Sequence, residues 1–61
     1  MITYTMALQM LDGWFAALYR DRDGEWRRAN DARGYPLRCD SYELAHSVAG
    51  YRRRRLQPLE Q

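Results

Sequence analysis

The chain has little of what usually stabilises or arms a small protein. Its 61 residues contain one cysteine, Cys39, and one histidine, His46. A single cysteine makes no internal disulfide. One cysteine and one histidine also fall short of the four ligands of a structural zinc site, so no metal and no cofactor are expected. Lysine is absent, and all ten basic residues are arginine. No apolar run approaches the roughly 20 residues that a membrane-spanning helix needs. The start, Met1-Ile2-Thr3-Tyr4, lacks the basic and apolar regions of a secretory signal. A cytoplasmic location is therefore expected, and the free cysteine suits a reducing compartment.

These absences matter because the chain is short. A domain of this size hides only about 60% of the surface its unfolded form exposes. With disulfide and metal excluded, exceptional packing or self-association is left. The apolar fraction of 46% is too high for a disordered chain. The net charge of +2 is unevenly spread. Residues 50–61 carry Arg52, Arg53, Arg54 and Arg55 against Glu60, whereas residues 1–49 are nearly neutral.

Hydrophobic periodicity sets the expected elements. Ile2, Tyr4, Met6 and Leu8 alternate with Thr3, Thr5, Ala7 and Gln9, which reads as a strand. A helix competes there, because residues 6–11 are good helix formers. Asp12-Gly13 is a favoured pair for a two-residue hairpin turn. A second strand over 14–20, a turn at 21–24 and a third strand over 25–29 follow. After a loop at 30–34, residues 35–39 offer a short fourth strand, at an edge because Pro36 donates no ladder hydrogen bond.

The period then changes. Asp40 or Ser41 can cap a helix, and Glu43 has the capping-box spacing from Asp40. Leu44, Ala45, Val48, Ala49 and Leu56 form the apolar stripe. Gly50 is a weak point, the helix runs to about Arg55, and Pro58 stops it. The expectation is α+β: one domain over 1–56 with an antiparallel three- to four-stranded sheet, one C-terminal helix packed on one face, and a short tail over 57–61.

A two-residue turn at Asp12-Gly13 would pair Leu11 with Trp14, Met10 with Phe15, Leu8 with Ala17 and Met6 with Tyr19. One face would then carry Tyr4, Met6, Leu8, Met10, Phe15, Ala17, Tyr19 and Trp26, and the helix should cover it. The other face would carry Leu11, Trp14, Ala16 and Leu18 beside Thr3, Thr5, Arg20 and Arg27. A half-apolar face without a cover marks an interaction site. Leu11, Trp14, Ala16 and Leu18 are therefore the candidate interface, for a homodimer or another protein.

Tyr4-Thr5-Met6-Ala7-Leu8-Gln9, Asp12-Gly13-Trp14-Phe15-Ala16-Ala17 and Asp40-Ser41-Tyr42-Glu43-Leu44-Ala45 resemble HicB-type antitoxin domains. Those domains carry a D-G-[WY]-[FYV] second strand and a G-D-[ST]-x-E-E-A helix start. Cys39 stands here for the glycine, and Leu44 for the second glutamate. The resemblance implies a truncated ribonuclease H-like fold that is not catalytic, self-associates and masks a small RNA-cleaving toxin. Gly34-Tyr35 before a helix is also similar to the three-stranded DNA-binding domains of phage-type integrases.

Arg27, Arg28, Arg33, Arg52, Arg53, Arg54 and Arg55 are the candidate nucleic-acid contacts, since phosphate neutralisation needs clustered cations. Four consecutive helical arginines, however, point about 100° apart. The plainer reading is a solvated helix end whose charges complement the helix dipole. Trp14 and Trp26 offer stacking surfaces for bases, but strand aromatics more often serve a core or an interface. Asp12, Asp21, Asp23, Asp31 and Asp40 sit where turn and cap chemistry explains them. Cys39 reads as a small core residue, and His46 has no evident catalytic partner. No constellation supports an enzyme. A homodimeric protein-binding module is expected, with a nucleic-acid-binding domain as the alternative and no small-molecule substrate.

Overall fold

The structure, a computed structural model, describes residues 3–56. Ile2, Pro58 and the 57–61 tail lie outside the described residues. Three strands and one helix follow in order: β1 (Thr5–Gln9), β2 (Phe15–Arg20), β3 (Trp26–Arg28) and α1 (Tyr42–Arg54). The sheet is antiparallel with spatial order β1-β2-β3. The helix packs against β1 and β2, so the α+β architecture is as expected.

The hairpin turns differ from expectation in a way that reorganises both faces. In the first, the Met10 N–H donates to the Trp14 carbonyl at 2.7 Å and the Gly13 N–H to the Met10 carbonyl at 2.9 Å. The loop is therefore three residues, Leu11-Asp12-Gly13. The reason is conformational. A two-residue turn of the Asp-Gly type needs positive φ at both central residues, and no described non-glycine residue has positive φ. A three-residue loop asks this only of Gly13, at φ 92°. Asp12 keeps a negative φ, and its Oδ1 accepts the Trp14 N–H at 3.1 Å.

The same loop recurs at 22–24 and 32–34, with Gly24 at φ 84° and Gly34 at φ 89°. There an aspartate opens the turn. Asp21 Oδ1 accepts the N–H groups of Asp23 and Glu25, and Asp31 Oδ1 those of Arg33 and Tyr35, each at 2.9 Å.

One residue more in the first loop slips β1 against β2 by one. The observed pairs are Thr5 with Tyr19, Met6 with Leu18, Ala7 with Ala17, Leu8 with Ala16 and Gln9 with Phe15. A slip of one transfers a strand's whole side-chain set to the other face. The helix therefore covers Thr5, Ala7, Phe15, Ala17 and Tyr19. Met6, Leu8 and Met10 lie on the opposite face, contrary to expectation. Trp26 joins them, because the three-residue second loop pairs it with Arg20.

After β3 the Ala29 N–H still bonds the Ala17 carbonyl at 2.8 Å. Residues 30–38 then leave the ladder as a small hairpin, and the chain returns at Cys39, which exchanges two hydrogen bonds with Phe15 at 2.8 and 3.0 Å. The fourth strand is thus reduced to two isolated bridges, Asn30–Pro36 and Phe15–Cys39.

Ser41 caps the helix, accepting the Leu44 N–H at 3.0 Å. Asp40 does not hold the cap position, so the capping box from Asp40 to Glu43 is not the one used. Ala45 and Ala49 are buried, Val48 and Leu56 are half-buried, and Leu44 is exposed. The core between helix and sheet is Ala17, Ala29, Cys39, Ala45 and Ala49, flanked by partly buried Ala7, Phe15, Tyr19, Leu37 and Val48. Small residues let the helix sit close on the sheet. They also mean that no large described side chain is fully buried.

Candidate interaction surface

The face opposite the helix is built by alternation. β1 and its extension present Met6, Leu8 and Met10. β2 and its start present Trp14, Ala16, Leu18 and Arg20, and β3 presents Trp26 and Arg28. Met6, Leu8, Met10, Trp14 and Trp26 are each between 38% and 50% exposed. Leu18 is half-buried, and Ala16 is buried beneath its neighbours. Of the four expected interface residues, three therefore share this face. Leu11 does not, because the longer loop places it at the hairpin tip, wholly exposed.

At one end of this face, the 30–38 hairpin stands beside the first hairpin and leaves a cleft of about 310 Å³. Trp14, Tyr35, Pro36, Leu37, Arg28 and Arg38 are among the residues that line it. The Arg38 guanidinium reaches Asp12 Oδ2 at 2.8 Å and lies 5.1 Å from the centre of the Trp14 ring. At the other end Arg20 lies 5.8 Å from the Trp26 ring and donates to the Gly24 carbonyl at 3.3 Å.

Arg33 lies 5.7 Å from the ring of cleft-lining Tyr35, whereas Arg27, Arg53 and Arg55 make their contacts elsewhere. Arg27, paired with Tyr19 on the helix side, bonds Asp21 Oδ2 at 2.6 Å. That hydrogen bond holds the Asp21 carboxyl below the usual carboxylate range, despite a smaller opposing effect of burial. Arg53 lies 4.0 Å from the Tyr4 ring, and its Nε donates to the Arg20 carbonyl at 3.2 Å. It therefore pins the helix end to the sheet, which corrects the reading of the whole run as solvated. Arg55 lies over Tyr51 at 5.8 Å, and Arg54 is exposed. The candidate nucleic-acid cations are thus spread over both sides of the sheet and around the helix.

Comparison with protein-family models, curated proteins and solved structures finds no match.

Other chemically capable groups have structural partners. His46 Nδ1 is 3.1 Å from Thr5 Oγ1, and its ring meets Tyr42 edge-on at 4.6 Å between centroids. Cys39 is buried, and burial, aided by the Asp40 charge, pushes its thiol up. Among the described residues no three acidic, histidine or cysteine side chains gather into a cation site. No described helix is long and apolar enough to cross a membrane.

The residues missed by the periodicity argument are Met6, Leu8, Met10 and Trp26. One signal pointed to Trp26, whose face the second loop sets, while the first loop, Met10-Leu11-Asp12-Gly13, opens without an aspartate. Asp21-Arg22-Asp23-Gly24 and Asp31-Ala32-Arg33-Gly34 share a D-x-x-G spacing that belongs to a three-residue loop.

Proposed function

We propose that this protein is a non-catalytic binding module that works as a homodimer and engages another protein through the sheet face opposite its helix. One contrast carries this reading. Met6, Leu8, Met10, Trp14 and Trp26 lie uncovered on that face, while the buried core is alanine and cysteine. Between 38% and 50% of each of these residues is thus still available for association, and contiguous patches of this kind are characteristic of interaction sites. Toxin masking of the HicB type is the specific form that the resemblance gives to this role.

Tagged protein is expected to retain a partner protein from native lysate after nuclease treatment and in high salt. Trp14→Asp, made on the exposed side of the sheet, should lose that partner while keeping its far-UV circular dichroism. Capture that vanishes with nuclease contradicts the reading.

The placement of Arg20 over Trp26 and Arg38 over Trp14 on this same face supports a second reading, binding of single-stranded nucleic acid. Quenching of tryptophan fluorescence by an oligonucleotide, falling steeply with salt, would favour it.

A further inference from the structure

The geometry points to β1 as the seam of the homodimer: we infer that the outer edge of β1 pairs antiparallel with the same edge of a second copy, forming one continuous six-stranded sheet. This inference rests on the homodimer reading above and names its contact.

The two edges of the sheet are not alike. β3 is three residues long and contains Arg27 and Arg28, and the 30–38 hairpin takes over where it ends. Short length and charge are the devices that keep an edge from pairing. β1 has neither. From Thr3 to Leu11 the chain contains no charged residue and no proline, and the β1–β2 register shows no bulge.

The hydrogen-bond phase shows which groups are available. The Arg20 N–H donates to the Tyr4 carbonyl, and the Met10 N–H to the Trp14 carbonyl. Antiparallel ladders alternate hydrogen-bonded and non-bonded pairs, so Tyr4, Met6, Leu8 and Met10 turn their backbone groups toward β2. Thr5, Ala7 and Gln9 turn theirs outward, away from the sheet.

Those three residues are arranged for self-pairing. With Ala7 on a twofold axis, Ala7 faces the partner's Ala7, and Thr5 faces the partner's Gln9. Every outward N–H and carbonyl of the three then finds a counterpart, giving six hydrogen bonds. Leu8 comes beside the partner's Met6, and the two open faces merge into one apolar surface. The pairing is isologous and closes at two copies. The protected β3 edges become the ends of the sheet and prevent open-ended growth.

The test is amide hydrogen exchange by NMR, read with the sedimentation mass of the same samples. The expected result is a dimer in which the Thr5, Ala7 and Gln9 amides are protected, and a loss of that protection on dilution into the monomer. A dimer whose three amides exchange at unprotected rates overturns the β1 seam and leaves a homodimer joined by its faces or by helix exchange. A monomer at every concentration overturns the homodimer reading itself. Gln9→Pro gives a second readout. It removes an outward N–H, which an edge strand tolerates, and deletes two hydrogen bonds per dimer. Association should weaken about tenfold or more, while Met10→Pro, which breaks the bond to Trp14, should damage the hairpin. Wild-type association by folded Gln9→Pro contradicts the seam.

Discussion

Replacing Leu8 with serine separates what the fold needs from what the assembly needs. Leu8 lies on the open face opposite Ala16 and is 50% exposed. Fully burying a leucine is worth about 1.5–3 kcal/mol. Half of that, about 0.7–1.5 kcal/mol, is already realised within one chain and will be lost from the stability of the monomer. About half of the remainder is covered in the edge-paired dimer, where Leu8 lies beside the partner's Met6, and the rest is left to a partner protein on the face. Two copies lose that covered part, about 0.7–1.5 kcal/mol in all. At 1.4 kcal/mol per tenfold, Leu8→Ser should raise the dimer dissociation constant by about 3- to 12-fold. Sedimentation equilibrium over a concentration series measures that constant, and urea melts at matched concentrations give the fold's share. A dissociation constant equal to that of the wild type, alongside the expected loss of monomer stability, would refute the claim that Leu8 meets the partner's Met6 across the β1 seam.

Gly50→Ala should stabilise the protein by about 0.5–1 kcal/mol, since glycine is a poor helix former and an added Cβ meets only the tip of Arg54 at an ordinary 3.5 Å; thermal melts check this. Arg53→Glu should cost about 1–2 kcal/mol through its bond to the Arg20 carbonyl and its contact with Tyr4. Exposed Arg54→Glu should cost only the dipole contribution of about 0.3–1 kcal/mol, and equal losses in denaturant melts would contradict the distinction. The Asp21 carboxyl titrates below the ordinary aspartate value in the folded chain, chiefly because of the hydrogen bond from Arg27. Its stabilising contribution is therefore complete above that value and is lost as pH falls through the depressed folded value. Asp21→Asn should flatten this part of the acid limb of the stability profile.

The elements were legible because they rest on local chemistry. Alternation around Met6 and Leu8 signalled the first strand, and the change of period after Ser41 signalled the helix. The faces were not legible from alternation, because alternation says which residues travel together and not which side they reach. That choice was made by one backbone angle at Asp12. With Asp12 at negative φ, the loop takes three residues and Met6, Leu8 and Met10 turn away from the helix. The candidate surface was therefore half recognised: Trp14, Ala16 and Leu18 were identified from β2, whereas its β1 half was assigned to the core. Arg53 illustrates a different limit. Its partners, Tyr4 and the Arg20 carbonyl, are distant in sequence, and no local pattern announces them.

Self-association of this 7.3 kDa chain is the central claim. Sedimentation equilibrium at low micromolar concentration measures it. The predicted result is twice the chain mass, with a melting temperature that rises with protein concentration, as stability linked to association must. A single-chain mass with a cooperative melt independent of concentration would contradict the account.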